Sequence, residues 1–193
     1  MDILRERLDA ESYERLMRID NPELHGFVAR YVELCDPARV FVAGGTEEDR
    51  RHVRQAALDN GEESPLALPG HTVHFDAYED QGRDREHTDI LVPPGMDLGP
   101  TILTLDREKG LEEVHRILKG IMKGRELFVR FFCLGPTGSE FSIPCVQLTD
   151  SAYVAHSEDL LYRPGYEEFV RQGRSARFFK FVHSQGELDE RPC

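Results

Sequence analysis

The run ELFVRFFCLGPTGSEFSIPCVQL, residues 126–148, holds two apolar segments of strand length, Glu126 to Cys133 and Phe141 to Leu148. They are joined by Leu134-Gly-Pro-Thr-Gly-Ser-Glu140, a connection made of turn-forming residues, so two β-strands linked by a turn are expected. Helical patterns lie on both sides of this pair. Upstream, Asp106 is placed to cap a helix in which Leu111, Val114, Leu118 and Ile121 share a face and Gly124 closes the segment. Downstream, Tyr166 to Gln172 continues a short helix and Phe178 to Val182 forms one more strand.

Further upstream, Asn21-Pro22-Glu23 combines a capping side chain, a pre-set first turn and an acid at the positive helix end. A helix over 22–35 follows, with Leu24, Phe27, Val28, Tyr31, Leu34 and Cys35 at offsets of three and four, and Pro37 stops it. Arg39 to Ala43 reads as a strand running into Gly44-Gly45. Thr46 and Asp49 form a capping box with Asp in place of Glu, opening a helix to about Asn60 that ends at Gly61. His71 to Tyr78 and Thr88 to Val92 are expected strands around a polar loop, 77–86, and Pro93-Pro94-Gly95 ends the second of them. The fold class is α/β of the mixed α+β kind, helices packed on a mixed, partly antiparallel sheet. Residues 1–186 are expected to form one domain and 187–193 a frayed tail.

Composition narrows the function classes. The chain has 193 residues, 39% of them hydrophobic, with 24 Lys+Arg against 36 Asp+Glu and a net charge of -12. Such a surface repels phosphate backbones and anionic lipid, so neither nucleic acid nor membrane is an expected partner, and an anionic ligand needs a local basic pocket. No uncharged apolar run approaches the roughly 20 residues of a membrane span. The N-terminal stretch lacks a signal peptide's apolar centre, and a cytoplasmic location is expected.

The titratable side chains exclude several chemistries. Cys35, Cys133, Cys145 and Cys193 have no metal or disulfide spacing and read as free thiols, the first two as packing residues. His71 and His74 are three apart on an expected strand and would face opposite ways, while His25, His52 and His115 have no i, i+4 partner, so no metal site is expected. Ser139, Ser142 and Ser151 sit in no nucleophile elbow. Gly44-Gly45 lacks the Lys-Ser/Thr of a phosphate loop and reads as a tight turn. Arg83 and Arg85, with His87, alternate along the loop before a strand; they are either solvated charges or one wall of an anion site. Arg171, Arg174 and Arg177 read as a solvated set.

Taken together, the segments resemble the N-terminal domain of GTP-dependent phosphoenolpyruvate carboxykinase. Phe132-Cys-Leu-Gly-Pro-Thr-Gly-Ser139 and Val146-Gln-Leu-Thr-Asp-Ser-Ala-Tyr-Val154 are similar to that family's F-S-M-G-P-x-G-S and V-Q-L-T-D-S-x-Y-V. Glu33 to Pro37, Lys123-Gly-Arg125 and Val182 to Gly186 add weaker matches, and the resemblance runs from about 27 to 186. It implies conversion of oxaloacetate and GTP to phosphoenolpyruvate, GDP and carbon dioxide, with a divalent metal, usually manganese (Mn2+). Aligning Thr88 with the family's A-R-V-E-S-K-T places Arg83 at the arginine that clamps the substrate carboxylate. Arg85 then stands where the family has glutamate, with Glu86 one position later, which makes Arg85 a second candidate contact. The phosphate loop, metal ligands and nucleotide pocket belong to the later part of a much longer chain, so the resemblance implies a substrate-side portion inactive by itself. The alternative is a non-catalytic dicarboxylate-binding or interaction module. Gly135 to Ser139 is expected to be only a hairpin connection, and Asp150 and Ser151 to cap the segment after them.

Overall fold

The computed structural model describes residues 2–75 and 88–186. In chain order its elements are α1 (Asp2–Arg7), α2 (Ala10–Arg18), α3 (Pro22–Cys35), β1 (Arg39–Val42), α4 (Glu47–Asp59), β2 (Ser64–Pro65) and β3 (Thr72–Val73). There follow β4 (Ile90–Val92), β5 (Thr104–Asp106), α5 (Arg107–Leu118), β6 (Glu126–Leu134), β7 (Ile143–Thr149), α6 (Ala152–Leu161), β8 (Arg163–Pro164), α7 (Tyr166–Gln172) and β9 (Phe179–His183).

Strand β6 is apolar on both faces and buried along nearly its whole length, which requires neighbours at both edges and a layer on each face. It pairs antiparallel with β7 from Phe128↔Thr149 to Leu134↔Ile143 and parallel with β1 from Arg39↔Glu126 to Val42↔Val129. Strand β9 lies parallel to β7, and β8 pairs with the far end of β6. The main sheet is therefore mixed, as its sequence suggests. Leu127, Val129 and Phe131 face a layer containing α1, α2, α3 and α7, while Phe128 packs with Val53, Ala57, Ala152 and Ala155 of α4 and α6. Among the described residues no helix is long and apolar enough to cross a membrane.

The expected caps form. Asn21 accepts the Leu24 N–H at 3.0 Å, Thr46 and Asp49 complete the capping box, and Asp106 accepts the N–H groups of Glu108 and Lys109. Other boundaries differ from expectation for tertiary reasons. Helix α5 stops at Leu118 rather than near Gly124, because the Gly120 and Met122 amides turn back to cap the Leu34 and Cys35 carbonyls at the end of α3. Leu118 is buried, yet Leu111 and Val114 remain 39% and 43% exposed, so only part of the expected apolar face reaches the core. The strand expected over 71–78 is present only at Thr72–Val73, paired with β2; residues 76–78 lie outside the described residues. Ser151 caps α6 by accepting the Val154 N–H, but Asp150 binds elsewhere. Helices α1 and α2 are too short to hold alone. Burial of Leu4, Leu8, Leu16 and Ile19, each worth roughly 1.5–3 kcal/mol, holds them on the sheet.

Candidate functional site

A cavity of about 1050 Å³ opens between the C-terminal end of α4, the β2–β3 pair, the first turn of α6 and the segment after β9. Its walls are built by contacts between residues distant in sequence. Glu62, just past α4, accepts the Ala152 and Tyr153 N–H groups at 3.1 and 2.8 Å and the Ser151 hydroxyl at 2.7 Å. A carboxylate from another element thus sits where the positive end of α6 favours an anion. Glu63 pairs with His156 at 2.7 Å, and the His74 ring stacks on Tyr153 with centroids 3.5 Å apart. The His74 Nδ1 lies 2.6 Å from the Glu62 carbonyl oxygen.

The opposite wall is organised by Asp150, whose buried carboxylate accepts from Arg125 at 2.8 Å, Ser184 Oγ at 3.1 Å and the Gln185 amide at 2.9 Å. Arg125 also donates to the Gly186 carbonyl, so the segment after β9 is tied to the turn after β7. His183 lies 2.9 Å from Thr149 Oγ1; burial pushes its imidazole below the ordinary range although Asp150 and Glu62 pull the other way. Its neutral form is the one favoured in the cavity wall. Phe75, the last described residue before 76–87, lines this cavity. Arg83, Arg85, Glu86 and His87 lie outside the described residues.

The other candidates fall into structural roles. The Gly44 and Thr46 amides both donate to Asp49 Oδ2 at 2.9 Å, and Arg15 donates to Asp49 Oδ1 at 2.7 Å. Burial alone would raise the Asp49 carboxyl, but the Thr46 amide and Arg15 guanidinium hold it below its ordinary value. Gly135 has a φ of +72°, and a Cβ there would collide with the Phe141 carbonyl, so this turn requires glycine. The Gly138 amide donates to buried Glu168, which also accepts from Arg171, Ser142 and Gln172. Arg171 and these hydrogen bonds hold the Glu168 carboxyl well below the usual carboxylate range. Arg174 pairs with Asp20. His52 lies against Glu126 and His25 against the Leu16 carbonyl.

Cys35, Cys133 and Cys145 are buried free thiols. Among the described residues no three His, Cys, Asp or Glu side chains are grouped to hold a metal ion. The Gly44 and Gly138 amides are already bonded to Asp49 and Glu168 and are not open to a phosphate. The described residues therefore do not fit manganese or GTP, and no chemical step is routed through either group. Glu62 and Asp150 are the site residues that sequence reasoning missed. Asp150 stands in the matched V-Q-L-T-D-S motif, but its partners lie some 25 to 35 residues away; nothing local marks Glu62.

A family model described as the phosphoenolpyruvate carboxykinase N-terminal domain matches residues 26–193. The chain belongs to this family. Among relatives of this phosphoenolpyruvate carboxykinase N-terminal domain, the phosphoenolpyruvate carboxykinase [GTP] of Thermococcus sibiricus is 60% identical over 190 residues, covering 98% of this chain and 30% of that protein. The corresponding protein of Thermococcus kodakarensis is 59% identical, with 99% and 30% covered. That of Saccharolobus solfataricus is 41% identical, with 98% and 30% covered. The chain thus spans about 30% of the length of these relatives.

Proposed function

We propose that the chain is the substrate-binding N-terminal portion of a cytoplasmic, GTP-dependent phosphoenolpyruvate carboxykinase, serving the reaction oxaloacetate + GTP to phosphoenolpyruvate + GDP + CO2 in gluconeogenesis. The observation that carries it is the near-complete alignment of this chain with proteins named for that activity. In this reading Arg83 is the clamp on the substrate carboxylate and Arg85 a neighbouring cation. A guanidinium fork holds a carboxylate by two parallel hydrogen bonds and so fixes its plane as well as its position. Loss of carbon dioxide leaves an enolate, whose developing charge a nearby cation stabilises. The phosphoryl chemistry would fall to manganese and GTP held by residues that this chain does not supply.

The test is calorimetric titration of the chain with oxalate, a planar analogue of the enolate, comparing the parent with Arg83→Ala. Losing a bidentate charged contact is expected to weaken binding by about 1.5–3 kcal/mol, or roughly 10- to 150-fold. Equal affinity in the two proteins removes Arg83 from the substrate site. Absence of oxalate binding in the parent removes the preformed half-site.

A further inference from the structure

A second concave surface lies between α3 and the turn that follows α5. It encloses about 740 Å³, and Arg30, His115, Lys119 and Lys123 line it together with the carboxylates of Glu33 and Asp36. Half of the four lysines in a chain of net charge -12 therefore meet in one pocket. Asp36 is already taken, by Arg7 at 2.7 Å and Lys123 at 3.8 Å, which leaves Glu33 to oppose the remaining bases. Among the described residues neither Arg30 nor Lys119 is in an ion pair.

The frame of this pocket is fixed by the backbone. The Gly120 and Met122 amides donate to the Leu34 and Cys35 carbonyls at 2.8 and 3.1 Å, which quenches the negative end of α3 that would otherwise repel an anion. The Lys123 stem lies across Gly120, its Cε 3.2 Å from the place a Cβ would take. Lys119 and His115 stand at the end of α5, where a helix favours cations with no ligand present. That does not account for Arg30. Helix α3 has no base in its last turn, and Arg30 instead reaches across to α5, its Nη2 3.3 Å from His115 Nε2 with no carboxylate as its ion-pair partner.

We propose that this pocket binds a small polyvalent oxyanion, one that carries its charge on two or more phosphate or carboxylate groups. Arg30 supplies a planar fork for two oxygens of one such group, and the lysines supply point charges for another. In the neutral imidazole the nitrogen facing Arg30 accepts a hydrogen bond; protonated, it becomes a second donor beside the guanidinium, and a shared anion relieves the repulsion between the two. Coulomb attraction grows with the charge of the ligand, so a monovalent anion gains too little here to compete with salt. On a molecule whose overall charge repels anions, such a local pocket is where one can be held. The proposal needs neither Arg83 nor the carboxykinase activity.

The experiment is calorimetric titration of the chain with inorganic pyrophosphate and, separately, with citrate, at one fixed pH and ionic strength. Arg30→Gln, Lys119→Gln and Lys109→Gln are compared with the parent; Lys109, exposed in the first turn of α5, is the charge-matched control. Expected is saturable binding of at least one probe at a single site, weakened about tenfold or more by Arg30→Gln and by Lys119→Gln and less than about twofold by Lys109→Gln, with the melting temperature held in all three. The tighter of the two probes tells whether the natural ligand presents phosphate or carboxylate groups. Equal weakening by all three variants reveals a diffuse ion atmosphere and overturns the proposal, as does the absence of saturable binding by either probe. Loss of binding in Arg83→Ala with none in Arg30→Gln moves the anion to the substrate site and overturns it too, whereas oxalate binding lost in Arg83→Ala alone leaves it standing.

Discussion

Arg130 stands in the middle of β6, buried, with Glu158 at 3.6 Å and Asp159 in direct contact. Two carboxylates therefore share one guanidinium, and neither oxygen of Glu158 has a hydrogen-bond partner. Burial raises the Glu158 carboxyl to about 7, with Asp159 adding to the rise and Arg130 opposing it. A carboxyl whose folded pKa is raised binds more protons in the folded state between about 4.5 and 7, so stability falls as pH rises through that window. Glu158→Gln, which mimics the protonated form, is expected to raise stability at pH 8 by on the order of 2–3 kcal/mol and to change little at pH 4.5. Denaturant melts of both proteins across this range check it. Using the difference between them cancels the opposite trend from His183, whose depressed pKa makes stability rise with pH below about 6.5. A flat difference across the range would remove the buried proton.

Helices declare themselves in sequence when their ends are closed by neighbours in the chain. Asn21, Thr46 and Asp106 each act on an amide two or three residues ahead, and those three starts were readable from spacing alone. The end of α5 was not, and of α6 only the Ser151 cap was, because the other determinants come from elsewhere: Gly120 is recruited by Leu34, and the first turn of α6 is also held by Glu62 from about 90 residues upstream. The candidate site follows the same division. Arg83 is proposed from a motif and lies outside the described residues, whereas the Glu62 and Asp150 contacts that shape the cavity exist only once distant segments meet. Glu62→Ala is expected to destabilise the domain by about 1–2 kcal/mol, since two helix amides lose their charged acceptor. Hydrogen exchange at Ala152 and Tyr153 should quicken more than at β6, and uniform quickening would mean the contact is not local to α6.

The whole molecule uses part of its acidic surplus internally. Asp49 and Glu62 each fill a pair of backbone N–H groups that an external anion would otherwise find, and Glu168 takes the Gly138 amide together with the Ser142, Arg171 and Gln172 side chains. The same compactness protects the thiols. Burial pushes Cys35 and Cys145 up to about 11 and raises Cys133, so at pH 8 almost no thiolate is present at any of them. These cysteines lie on α3, β6 and β7, and their modification by a disulfide reagent is expected to follow global unfolding. Fast labelling of Cys145 alone in native protein would show that the β7–β9 side opens separately.

The pairing of β1 with β6 sets Arg39 opposite Glu126, whereas β6 and β7 meet across a short turn. The β-hairpin can therefore close early, while β1 waits for a partner more than eighty residues further along the chain. During synthesis the ribosome delivers α1 through β1 long before the strand they must rest on. The first third of the polypeptide emerges with Val40 and Val42 uncovered, and its safe passage depends on how quickly the rest is translated.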